Sequence, residues 1–187
     1  MNELIAKIEQ WANDRNIIKG SKPIDQAMKL FSEFGELSDH VGDNELSKIP
    51  DDVGDIFVVL TVISAQHNKG FMAETINNIE SLEDLSKLTS IKHVVHVLMS
   101  HLYSFVYSVE DSKFCDPAYD LHSCVEYLSK ISELIGTDLE SCVKLAYEDI
   151  KDRKGVLIDG VFIKESNPAY AKAIKSLEEN FSIEDSK

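Results

Sequence analysis

Two pairs of acids with the same spacing carry the most chemistry in this chain. Glu33 and Glu36 fall in KLFSEFGELSDH; Asp52 and Asp55 fall in IPDDVGDIFVVLTVIS. Both segments read as helix, and residues three apart on a helix share a face. Each pair therefore sets two carboxylates side by side. If the two helices pack together, four carboxylates converge, and they repel unless a cation neutralises them. An all-oxygen donor set of this kind suits Mg²⁺, with Mn²⁺ as a substitute. The chemistry to expect is metal-dependent work on phosphates. A lone pair of acids at this spacing is ordinarily a solvated helix face. Asp55 differs because it directly precedes IFVVLTVI. A carboxylate at the border of a buried stripe is costly unless it is paired or metal-bound.

A basic cluster adds to this. The stretch KLAYEDIKDRKG carries Lys144, Lys151, Arg153 and Lys154 in a chain of formal net charge -14. Cations at a helix C-terminus complement its dipole. The same residues could also clamp a polyphosphate. Composition does not choose between the two. Lys19 and Lys22, in KGSKP, are second-tier candidates of the same kind. The phosphate-cradling loops GxxxxGK[ST] and GxGxxG are absent from the sequence.

Other groups read as structural. Asp51 suits the first turn of its helix. His93, His96 and His101 lack an HExxH or ExxH context and read as core-edge histidines. The cysteines Cys115, Cys124 and Cys142 are odd in number, without CxxC spacing. They read as reduced packing thiols of a cytoplasmic protein.

These residues must be held by helices, and helical periodicity runs through the chain. Leu4, Ile5, Ile8, Trp11 and Ala12 mark an apolar stripe on a first helix, about 2–16. Ser21 is a candidate cap and Pro23 a first-turn residue for a second helix running to about His40. Glu33 and Glu36 lie beside its apolar face. Pro50 opens a third helix, which ends near Asn68 to Gly70. Longer helical segments follow over about 82–109 and 117–135. A helix capped by Thr137 or Asp138 then runs to Lys151. Asp159-Gly160 in VLIDGVFIKE signals a two-residue hairpin turn. An amphipathic helix is expected from Asn167, with a frayed terminus. DIFVVLTVISAQHNKG and DLHSCVEYLSKISELIG echo one another, although the second lacks the paired acids.

The chain has 187 residues, 43 % hydrophobic and 28 % charged, a globular composition with material for one domain, 1–187. Its acidity argues against nucleic-acid binding, which needs basic patches. No apolar run is long enough to cross a bilayer. The amphipathic, acid-containing N-terminus is unlike a signal peptide. The expectation is an all-α helical bundle with a small C-terminal β-hairpin.

FSEFGELSDH, DDVGDIFVVL and LAYEDIKDRKG followed by DGVFIKE together resemble the MazG-like nucleoside triphosphate pyrophosphohydrolases. These belong to the all-α superfamily that includes dimeric dUTPases and dCTP pyrophosphatases. The signature is ExxE, a spacer, then ExxD. Glu33 and Glu36 match its first half; Asp52 and Asp55 match the second, with Asp52 in place of the usual Glu. Glu148 stands where an Asn is common, while Lys151 and Arg153 match. The resemblance covers about 26–64 and 136–165, leaving about 69–118 as a helical insertion.

The resemblance implies Mg²⁺ held by Glu33, Glu36, Asp52 and Asp55, and hydrolysis of an NTP or dNTP to a monophosphate and pyrophosphate. It implies Glu33 or Glu36 as general base and Lys151 and Arg153, beside Lys154, on the outer phosphates. Trp11, Phe34 or Tyr147 could stack on the base or simply pack the core. A homodimer or homotetramer is implied as well. The alternative of another class is a catalytically degenerate helical module that binds a nucleotide or a partner protein.

Overall fold

The computed structural model describes residues 1–77, 85–111, 116–158, 161–172 and 174–175. The chain folds as an all-α bundle with a small C-terminal β-hairpin. Helix α1 (Asn2–Asp14) is followed by a one-turn helix α2 (Ile17–Gly20), where a loop was expected, and by α3 (Pro23–Gly42). Then come α4 (Ile49–His67), α5 (Phe71–Asn77), a 3-10 turn (Leu85–Lys87), α6 (Ile91–Glu110), α7 (Pro117–Leu134) and α8 (Leu139–Ile150). Strands β1 (Gly155–Ile158) and β2 (Val161–Lys164) pair antiparallel, with Val156 opposite Ile163 and Leu157 opposite Phe162.

Several boundaries differ from the sequence reading. Ser21 does not cap α3: its hydroxyl turns back to Ile17 O, and Asp25 instead accepts the Lys22 N–H at 2.8 Å. The helix expected from 82 begins at Ile91, after the 3-10 turn; α5 was not foreseen. Asp138 caps α8 through Ser141 N at 2.9 Å, which settles the choice left between Thr137 and Asp138. The hairpin stands where Asp159-Gly160 predicts it, although that turn lies outside the described residues. So does Cys115. The tail is helical only at 170–172 and 174–175 among the described residues.

Burial explains the arrangement. From Ile56 to Ser64, α4 is buried on every side, so it forms the central element. Helices α1, α3, α5, α7 and α8 all pack on it. The six-residue connection between α3 and α4, residues 43–48, makes them an antiparallel pair. Gly54 lets α8 close on α4: a Cβ there would stand 2.3 Å from Cys142 O and 2.7 Å from Ala146 Cβ. Helix α6, inside the expected insertion, sends Val94, Leu98, Leu102 and Phe105 into the same core as α3 and α4. Among the described residues, no helix is long and apolar enough to cross a membrane.

Candidate functional site

Antiparallel packing of α3 on α4 sets the first acid of one pair against the second of the other. Glu33 and Asp55 line one cavity and Glu33 raises the Asp55 carboxyl, while Glu36 lies near enough to Asp52 to add to the rise of its carboxyl. Glu33 occupies a position on the buried stripe of α3, between Leu30 and Leu37, and is buried itself. Asp52 is buried, Asp55 half-buried and Glu36 exposed. Burial first, then the Glu33 and Asp51 carboxylates, push the Asp55 carboxyl up to about 7. Asp51 is raised by partial burial and by Asp149. Asp52 is raised by burial, against the pull of its hydrogen bond with His40.

Each buried acid already has a cationic or protonatable neighbour. Lys29, one turn before Glu33, pairs with it. His40 Nδ1 lies 2.7 Å from Asp52 Oδ2, and its Nε2 lies 3.8 Å from Glu45. With these side-chain directions, no three His, Cys, Asp or Glu among the described residues form a group that could hold a metal. The donor chemistry nonetheless fits a hard dication. Carboxylates from two helices lie near one another, and the Asp55 carboxyl is raised first by burial and then by Glu33 and Asp51. Lys29 contacts Glu33 through Oε1 and His40 contacts Asp52 through Oδ2, so the second oxygen of each carboxylate lies outside these pairs.

A cavity of about 390 Å³ opens beside Glu33 and Asp55. Its lower wall is apolar, with Val58, Val59 and Val62 from α4 and Leu157 and Phe162 from the hairpin. Trp11 from α1 forms one side; its Nε1–H donates to Ile150 O at 2.8 Å, which fixes the indole. Arg153 reaches the same cavity from the turn after α8. That turn is pinned by Arg15, whose guanidinium donates to Arg153 O at 2.6 Å and Lys151 O at 3.2 Å. Arg153 pairs with Asp149 and also lines a second cavity of about 660 Å³, with Lys154 and Lys164.

The other sequence candidates sit elsewhere. Lys151 pairs with Glu148 on the exposed side of α8 and does not line the first cavity. Lys154 pairs with Glu165 at 3.5 Å. Lys144 is exposed, and Lys19 and Lys22 lie outside both cavities. Phe34 and Tyr147 pack on the core rather than on the cavity. His93 and His96 are exposed on α6, contrary to the core-edge reading, which holds for His101 alone. His101 stacks on Tyr127 and lies 3.8 Å from Asp120. Cys124 and Cys142 are free and buried.

The sequence reading passed over Lys29, Gln26, Asp149 and His40, and treated Asp51 as a first-turn acid. The signal was present as i, i+4 spacing. Lys29 precedes Glu33 by four, Asp51 precedes Asp55 by four, and Asp149 precedes Arg153 by four. The internal echo sets Asp55 of α4 beside Asp120 of α7. Asp120, which corresponds to Asp55 in it, is buried and accepts from the Ser104 hydroxyl at 2.8 Å, with Ser108 Oγ, whose one proton also faces Ser104 O at 2.8 Å, 3.1 Å away. Serines there make it a satisfied structural carboxylate.

No family model matches the chain, and no solved structure matches it. A stretch of 76 residues is 42 % identical to an uncharacterized 18.2 kDa protein in the rep-hol intergenic region of Haemophilus phage HP1 (strain HP1c1). The match covers 41 % of this chain and 47 % of that protein, so the chain spans about half the length of this relative.

Proposed function

We propose that the chain is a Mg²⁺-dependent nucleoside triphosphate pyrophosphohydrolase of the MazG-like type, acting in the cytoplasm. One observation carries the reading: Glu33 and Asp55 meet at the rim of an apolar cavity that Arg153 also lines. Carboxylates for a dication, a cation for phosphate and an apolar recess for a base then occupy one place. Glu33, Glu36, Asp52 and Asp55 would hold the metal. When bound, Mg²⁺ supplies neutralisation of phosphate charge and a more acidic water. Arg153 holds the outer phosphates, with Lys151 and Lys154 flanking it. Of the two candidate bases, Glu33 lines the cavity and Glu36 does not, so Glu33 is the carboxylate that, when free of the metal, takes the proton of the attacking water. Water adds to the α-phosphorus, the bridging oxygen to the β-phosphorus leaves, and pyrophosphate departs.

The test is pyrophosphate release across ribo- and deoxyribonucleoside triphosphates, with Mg²⁺ or with EDTA. Metal-dependent release that Glu33→Gln and Asp55→Asn abolish supports the reading. Silence across the panel in folded protein rejects it.

The degenerate binding module has one observation in its favour: Glu148 occupies Lys151, and Lys29 occupies Glu33. Calorimetry separates the two, because a binder takes up nucleotide without releasing pyrophosphate.

A homo-oligomer belongs to the same proposal. Ile24, Met28 and Phe31 on α3 and Met99, Tyr103 and Tyr107 on α6 are exposed. The start of α3 meets the end of α6, where Ile24 N–H donates to Glu110 at 3.2 Å, and the two helices pack on each other. Large apolar and aromatic side chains exposed in this way are what the core of a standard interface buries. Helix α6 carries no carboxylate before Glu110. Two copies of an acidic chain repel least across such a face, which favours a second copy as the occupant.

A further inference from the structure

We infer that Gln26 selects the nucleobase, and that the cavity takes bases with an amino group at pyrimidine C4 or purine C6, cytosine or adenine, over their keto counterparts. The inference rests on the pyrophosphohydrolase reading and specifies its substrate.

Hydrogen-bond logic fixes the Gln26 amide. Ser21 Oγ lies 2.7 Å from Ile17 O, a carbonyl that can only accept, so the hydroxyl proton goes there. Ser21 Oγ is then left as an acceptor. Gln66 Nε2 approaches it at 2.9 Å and also donates to Ser21 O at 3.0 Å, which holds the Gln66 amide in its donor orientation. Gln26 meets the same oxygen at 2.8 Å and must present Nε2 to it. A flipped amide would set two acceptors against each other. Gln26 Oε1 therefore points away from Ser21, and it accepts no hydrogen bond from the described residues. Gln26 lines the cavity, next to aliphatic side chains such as Ile17 and Val62.

The position suits a base. Gln26 precedes Glu33 by two helical turns, about 10 Å along α3. Val62 follows Asp55 by the same two turns on α4. A nucleoside with its α-phosphate at Glu33 and Asp55 would thus lay its base between Gln26 and Val62. Trp11 gives that recess a flat wall held by its bond to Ile150 O, and Arg15 Cζ stands 5.0 Å from the ring centroid. The polar edge of the base then meets a fixed acceptor. The N4 amine of cytosine and the N6 amine of adenine donate to it. The carbonyl at the same place in uracil or hypoxanthine would meet it lone pair to lone pair, unable to pair.

The test compares two isosteric amino and keto pairs, CTP against UTP and ATP against ITP, each also as the deoxy form. Pyrophosphate release with Mg²⁺ gives KM and kcat for wild type, Gln26→Leu and Gln26→Met. In the pair turned over faster, wild type should favour the amino member about tenfold or more in kcat/KM, mostly through KM. Both variants should bring that ratio close to one, mainly by raising KM for the amino member. The two variants guard against one that fails to fold, and the wild-type ratio is decisive without either. A wild-type ratio near one or reversed overturns the assignment of Gln26 while leaving the hydrolase standing. A preference that survives in a folded variant does the same. Failure to bind or hydrolyse any nucleotide overturns the parent reading and this one with it.

Discussion

Glu33 on α3 and Asp55 on α4 line one cavity from the two helices of an antiparallel pair, and the Asp55 carboxyl is raised to about 7 in consequence of burial and of that neighbour. A group this perturbed holds free energy against folding that a bound cation can release. The relationship has consequences that do not require knowing the substrate.

The first is a pH dependence of stability. The Asp55 carboxyl ordinarily titrates near 3.8 and titrates near 7 when folded. Well below pH 4 it is protonated in both states and has no effect. As pH rises towards 7, the unfolded chain ionises and the folded one resists, so stability falls. Above 7 the whole penalty is present. Asp55→Asn removes it, so the variant should gain on the order of 2–4 kcal/mol over wild type at pH 8 and little at pH 4. Urea titrations of the two proteins at both pH values measure this. An equal difference at the two pH values contradicts it.

A dication should reverse the same penalty. Adding Mg²⁺ at pH 8 should raise the melting temperature of wild type, by about 2.7 kcal/mol of stability at a hundredfold excess over its dissociation constant. EDTA should return it to the starting value. Asp55→Asn and Glu33→Gln should respond no more than to an equal ionic strength of NaCl. A response in the variants as large as in wild type would place the cation elsewhere.

The helical fold was legible because its signals are local. Apolar spacing on α1 and α3, Pro23 and Pro117 at helix starts, and Asp138 at a cap all act within a turn or two. The two equal spacings showed that four carboxylates could converge if the helices pack, but which acid stands near which is set by the packing of α3 on α4. What the sequence hid depends on distant packing. Nothing near Arg153 in sequence tells that Arg15 pins its turn. Nothing near Gln26 tells that Gln66 fixes Ser21. His93 and His96 were misplaced because α6 looks apolar over most of its circumference, whereas its outer face is Tyr, Met and His.

Gly54 tests the role of α8. A methyl group there would press on Cys142 O and Ala146 Cβ, and backbone cannot yield as a side-chain tip can. Gly54→Ala should cost about 1–3 kcal/mol, despite the better helix propensity of alanine. Because α8 leads into the turn that carries Arg153, pyrophosphate release should fall in the fraction that remains folded. A variant as stable as wild type in urea would mean that α8 shifts away from α4 at no cost.

The apolar face of α3 and α6 yields a prediction independent of chemistry. Tyr103 and Met28 are each more than half exposed, and the Tyr103 ring stacks on Tyr107 at 6.3 Å between centroids. A carboxylate introduced there costs the folded protomer little, since both positions already face water. In a two-fold interface, each substitution appears twice and sets like charges against one another. Light scattering should therefore find wild type as a homo-oligomer and Met28→Glu with Tyr103→Glu as a monomer of unchanged helicity. Wild type that stays monomeric at micromolar concentration would remove the case for this interface, and a variant that still assembles would move it to another face.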